Sequence, residues 1–280
     1  MNMVRPALQS FAKPSTIERV FLWAGALMNG SLAERSFRHL VKILRALERE
    51  VPQPQTVNFK ESFLVRYLEK QPKQILVQKL AHSLAVLHSC EILIEAGQVQ
   101  SVGALLIVLD DANEDVAFLT IGMTKGEWTQ RHTNFCNEFF AEDGVEQDAL
   151  GLPADKIPRV PRAKINSYIA QNTPGADQSR GSIARKRVFS AYSGFVHGAS
   201  PNIMDFYDTC LPGFQVTEIK GTSRHADYED QIFNQRYRTF ISFIVALSAF
   251  GLSPDDTSSK LLTEFDELNE TRTGDRKQKP

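Results

Sequence analysis

The chain has 280 residues, 42% of them apolar and 23% charged, which is ordinary for a globular protein and excludes collagenous, low-complexity and disordered classes. A chain of this length buries roughly three quarters of the surface that it exposes when unfolded, so it needs no staples. The formal net charge of −1 excludes a global field for nucleic acid or membranes, and any such contact has to use a local patch.

Cys90, Cys136 and Cys210 are far apart and lack CxxC spacing, which argues against a disulfide framework or a zinc site and for a reducing compartment. The N-terminus lacks a basic region followed by an apolar core and a small-residue cleavage site. The longest apolar run, Phe240 to Leu252, is too short to span a bilayer and contains Ser242 and Ser248. The expectation is a cytoplasmic protein with no membrane partner.

In chain order, Ile17, Val20, Phe21 and Ala24 predict a first helix that ends at Gly30. Ser31 with Glu34 three residues on is a capping box, and Leu32, Phe37, Leu40, Val41, Leu44 and Leu47 form the stripe of the helix it opens. His39 lies off that stripe and is expected to be exposed. A loop over 51–58 and a short helix over Phe59 to Lys70 follow. Lys73 to Ala96 is a long apolar helix, and Gln98 to Met123 is its hairpin partner after the stop at Gly97. Glu127 to Phe140 is a further helix, 141–153 an acid-rich loop, Ala154 to Ala170 helical, and 172–182 a polar loop.

Between Ala184 and Cys210 lies the densest signal. Val188, Tyr192, Phe195 and Val196 recur at helical spacing, and Gly198 directly after His197 is a C-terminal stop. Ser200 and Pro201 then read as an N-cap with proline at the first helical position. The stretch is an elbow between two helices, with His197 in the last turn of the first. That end carries partial negative charge and favours a protonated imidazole, which suits either a capping role or a general acid/base. Beyond it, Phe214, Val216 and Ile219 alternate as in a small hairpin, Ala226 to Leu252 is a core helix, and one short helix around Leu261–Leu268 precedes a polar tail.

Nucleotide-binding glycine motifs, H-E-x-x-H and the G-x-S-x-G elbow are all absent, so no cofactor is expected. Asp110, Asp111, Glu114 and Asp115 share one side of the Gln98–Met123 helix. They form either a solvated acidic face or, because Ile107 and Phe118 bracket them, the wall of a cleft. His88, Glu91 and Glu95 facing Asp111 and Glu114 would make a dimetal carboxylate site, but the required Glu-x-x-His repeat is missing and no metal ligand is assigned. Arg159, Arg162, Lys164, Arg180, Arg185, Lys186 and Arg187 form a local basic patch able to contact RNA phosphates, or scattered surface cations.

The long apolar helix with Glu91, the glycine turn, the stretch SVGALLIVLDDANEDVAFL and the later SGFVHG together resemble a broad, functionally unassigned group of bacterial all-helical proteins, itself similar to HEPN-type domains. The resemblance spans residues 75–250. It implies an all-helical fold, a role in stress or phage defence, and a metal-independent ribonuclease activity in which His197 is the catalytic histidine. The group's arginine, four to six residues away on the same helix, would fall at Ala191, Tyr192 or Ser193, none of which is arginine. Arg187 stands ten residues from His197, about 15 Å along a helix. Relatives carry Arg where Ile107 stands and Glu where Asp111 stands.

The resulting expectation is an all-α bundle of roughly eight to ten helices with a small β-hairpin near 213–221. Residues 1–253 form one domain, and 254–280 a C-terminal helix and disordered tail. The leading function is a binding or interaction module, with homo-oligomers allowed, whose cleft lies between the Gln98–Met123 helix and the elbow. The residues assigned to it are Asp111, Glu114, Arg185, Arg187 and Tyr192. The alternatives are the ribonuclease and the metal carboxylate protein.

Overall fold

The computed structural model describes residues 30–59, 62–141, 159–173, 192–210 and 212–278. The expected first helix, both polar loops and the start of the elbow's first helix, with Arg185 and Arg187, lie outside the described residues.

The described chain is an all-α bundle of α1 (Leu32–Arg49), α2 (Pro72–Glu95), α3 (Val99–Thr124), α4 (Gln130–Phe140), α5 (Arg162–Asn172), α6 (Ser200–Met204), α7 (Ser223–Ala249) and α8 (Asp256–Gln278). It carries two small antiparallel hairpins, β1 (Gln55–Phe59) with β2 (Ser62–Arg66) and β3 (Tyr207–Asp208) with β4 (Gly213–Phe214). No helix among the described residues is long and apolar enough to cross a membrane.

The capping signals act as read. Ser31 Oγ accepts from the Glu34 amide at 3.3 Å and Glu34 Oε2 accepts from the Ser31 amide at 3.0 Å, so two otherwise unpaired donors of α1 are satisfied. Gly97 joins α2 to α3 with φ +73°, a conformation that a side chain resists. It also holds a crowded position. A Cβ there would stand 2.9 Å from Glu218 Cβ, and the Gly97 carbonyl accepts from the Ile219 amide at 3.1 Å.

The small hairpin expected near 213–221 is present as Tyr207–Asp208 paired with Gly213–Phe214. The structure departs from the sequence reading in three places. Gln55–Phe59 and Ser62–Arg66 pair as antiparallel strands where a helix over Phe59 to Lys70 was expected, because the run TVNF alternates polar and apolar residues with a period of two. His39 is buried rather than exposed. Its Nε2 lies 2.7 Å from Ser258 Oγ and 3.3 Å from Asp255 Oδ1, because α8 covers the side of α1 that faced outward in the sequence pattern. Finally, α8 is longer than the short helix expected around Leu261–Leu268, and Leu261 and Phe265 sit in the core beside Phe233 and Phe240.

The core is in two parts. The larger joins α1, the first part of α2, the end of α3, and α4, α5, α7 and α8. The smaller joins the end of α2 (Val86–Ile94), the start of α3 (Val99–Leu109) and the start of α7 (Tyr228, Ile232), with Tyr192, Phe195 and Phe206 packed on it. On α3 the boundary between them is residues 110–115, DDANED. The bundle therefore carries a polar layer across its middle.

Candidate functional site

The polar layer is built from α3 outward. Because α2, α5 and α7 all pack on α3, the helix has no broad solvent face, and its acids must find partners inside the protein. Asp115 is 1% exposed and takes two cations: Arg162 Nη1 at 2.5 Å from α5 and Lys79 Nζ at 2.7 Å from α2. Lys79 also lies over the rings of Phe139 and Phe135, which adds a cation–π attraction. Arg162 Nε approaches Asp111 Oδ1 at 3.3 Å, and its Nη1 donates to the Asp111 carbonyl at 3.3 Å. Burial opposes the Arg162 charge, but Asp115 and then Asp111 outweigh it, and the guanidinium is held more firmly protonated than usual. Burial pushes the Asp111 carboxyl upward. Arg162 pulls it back, while Asp115 and Asp110 push in the same direction as burial.

On the α7 side, Asp110 pairs with Arg238 and accepts from Gln235 Nε2 at 3.1 Å. Buried Asn113 donates to Thr239 Oγ1 at 3.2 Å. One turn beyond, a groove of about 430 Å³ opens where α5 and α7 diverge over α3. Ala117, Ile169 and Ile241 line it with apolar surface, and Glu114, Asn113, Tyr237, Arg238 and Ser242 supply its polar groups. Glu114 is only 6% exposed, and the Arg238 side chain is 40% exposed. The Tyr237 hydroxyl is committed to Asp266 at 2.7 Å, and Ser242 Oγ donates to the Arg238 carbonyl at 3.0 Å. The charged groups lining the groove are thus Glu114 and Arg238.

Of the residues singled out in the sequence, Asp111 and Glu114 lie in this layer, and Tyr192 touches it from the elbow. Burial raises the pKa of the Tyr192 hydroxyl, as does Asp110, whereas Gln235 and Arg238 lower it. Arg185 and Arg187 lie outside the described residues. His197 is exposed at the elbow, where its amide donates to the Ser193 carbonyl at 3.1 Å and Gly198 follows with φ +61°. The restart begins one residue earlier than read, with Ala199 as N-cap and Ser200 inside α6. This groove lies between α3, α5 and α7, away from the elbow, where Phe195 lies directly over Gly103 and meets Tyr228 edge-on. A second pocket of about 270 Å³ lies where Gly97–Ser101 meet Phe206 and Gln215–Ile219.

Two of the carboxylates proposed for metal, Glu91 and Asp111, are engaged by cations. Arg236 Nε and Nη2 bind Glu91 Oε1 at 2.9 and 2.7 Å, and Arg162 holds Asp111. Among the described residues, no group of three or more His, Cys, Asp or Glu side chains is assembled for a metal ion. Cys90 and Cys136 are buried with thiols pushed up to about 12 by burial, which removes them as nucleophiles.

The sequence reading missed Lys79, Arg238 and Gln235, and Asn113. The signal for Arg238 and Gln235 was present in NQRYRTF, two arginines inside an otherwise apolar, helix-periodic run, and a buried helix carries such charges only when they are paired. The comparison with known proteins finds no match: no family model, no curated protein and no solved structure is similar to this chain.

Proposed function

We propose that the chain is a binding module whose ligand sits in the groove between α3, α5 and α7. The observation that carries this reading is the placement of Glu114 and Arg238 together on an apolar-walled groove of about 430 Å³. Small-molecule sites combine this size, mostly apolar walls and a few convergent polar groups. Glu114 itself is buried rather than part of a solvated face, which supports this reading.

Ligand-observed NMR with a library of small fragments tests it on the full chain. In Ile241→Trp the indole fills the groove from its half-buried lip. Fragments should bind the parent chain and be lost in this variant while circular dichroism and Tm stay unchanged. Absence of binding to the parent, or equal binding to both chains, overturns the reading. The ribonuclease implied by the resemblance is separated on the same preparation. With EDTA present, the binding reading expects RNA to stay intact. Cleavage that disappears in His197→Ala would replace that reading with catalysis at the exposed histidine.

A further inference from the structure

We propose that the ligand of the groove is a small apolar zwitterion, with a carboxylate for Arg238, an ammonium for Asn113 and Glu114, and a hydrocarbon group for the walls. The inference rests on the groove being a ligand site and names the chemistry that fills it.

Asn113 supplies the acceptor. It lines the groove and is only 4% exposed. Its Nδ2 donates to Thr239 Oγ1 at 3.2 Å, but its Oδ1 is buried with no hydrogen-bond partner. Such an unpaired acceptor is costly to the folded chain, and a ligand that brings an N–H to it removes that cost on binding. Glu114 stands next to it on α3 and puts a buried carboxyl group on the same groove, which favours a charged donor over a neutral one.

Arg238 supplies the donors. Its Nη1 pairs with Asp110, and among the described residues neither its Nε nor its Nη2 has a partner. A guanidinium carries five N–H groups in a planar fork, so with its side chain 40% exposed it can take a ligand carboxylate without giving up Asp110. Ala117, Ile169 and Ile241 offer the hydrocarbon surface. The charges also select against simpler ligands. A lone amine meets Arg238 and a lone carboxylate meets Glu114, so only a ligand with both poles avoids a like charge in the groove.

Ligand-observed NMR on the full chain with four related compounds tests this. Phenylalanine has both poles, hydrocinnamate lacks the ammonium, phenethylamine lacks the carboxylate, and N-acetylphenylalanine keeps an N–H without its charge. Phenylalanine should bind about tenfold or more tightly than each of the others, the ordinary worth of one charge-assisted hydrogen bond. In Asn113→Leu, which keeps the shape without the acceptor, its advantage over hydrocinnamate should fall several-fold. In Arg238→Met its advantage over phenethylamine should fall in the same way. Circular dichroism checks that the variants fold, and the ranking on the parent chain decides the matter if they do not. Phenylalanine binding no tighter than any one of the other three overturns the zwitterion, as does an unchanged ranking in both folded variants. Equal binding of N-acetylphenylalanine would point instead to a peptide C-terminus. If library fragments still bind the parent and are lost in Ile241→Trp, the groove stands and only this ligand class has failed.

Discussion

Asp115 shows what a single buried carboxylate demands. Lys79 from α2 and Arg162 from α5 meet it from two directions, so one side chain ties three helices together. Breaking such a pair costs more than the pair contributes, because the remaining charges stay behind poorly solvated. Asp115→Ala should lower unfolding free energy by about 3 kcal/mol in urea titration. A triple replacement by apolar groups, Asp115→Leu with Lys79→Met and Arg162→Met, should recover most of that loss, as removal of all partners often does. A triple variant as unstable as Asp115→Ala would mean that the layer stabilises in its own right. In the sequence, the acids were visible as a cluster on one helical side. Their cations were not, because Lys79 and Arg162 stand 36 and 47 residues from Asp115.

Among elements, α1 is set by local bonds and the first hairpin by pairing between strands. α1 begins where its capping box says, since the cap is a local bond between neighbours. The stretch 55–66 was misread because short apolar runs fit either period and only neighbouring strands settle the choice. Its outward face keeps Phe63 at 63% and Val65 at 55% exposure, so the hairpin adds little to the core. Phe63→Ser should change stability by no more than about 0.5 kcal/mol. Phe265→Ala, on an element expected to be a short helix and polar tail, should cost about 3–5 kcal/mol, because Phe265 is fully buried among Phe233, Tyr237 and Phe240. Chemical denaturation of the two variants side by side checks both, and a mild effect at Phe265 would separate α8 from the cooperative unit.

For the whole molecule, acid stability depends on histidines buried far from one another. His132 is enclosed by Phe118 at 4.1 Å, Trp128 at 4.8 Å and an edge-on Tyr168, and Thr129 occupies its Nδ1. Burial lowers its proton affinity below the ordinary 6.5 and outweighs the backbone contacts that raise it. Burial also lowers His39, against the pull of Asp255. Above pH 6.5 both rings are neutral in folded and unfolded chains alike, and they contribute no pH dependence. Below it, the unfolded chain takes up protons that the folded chain refuses, so stability falls as pH drops from 6.5 towards the lowered folded values. Urea midpoints should therefore decline between about pH 6.5 and 5. His132→Gln, which keeps a cap acceptor but does not titrate, should flatten part of that decline. An unchanged slope would show that His132 takes no part.

What the chain determined by itself is the helical class, the stop at Gly97, the elbow at Gly198 and the cap at Ser31. These follow from local rules, in which periodicity, glycine freedom and neighbouring side chains act within a few residues. The burial of the α3 acids, the place of the groove and the isolation of His197 from them were decided only by the tertiary structure. A carboxylate's environment is set by whichever helices pack over it. Here α5 and α7 supply arginines to Asp111, Asp115 and Asp110, and leave the groove beside Glu114 where they part.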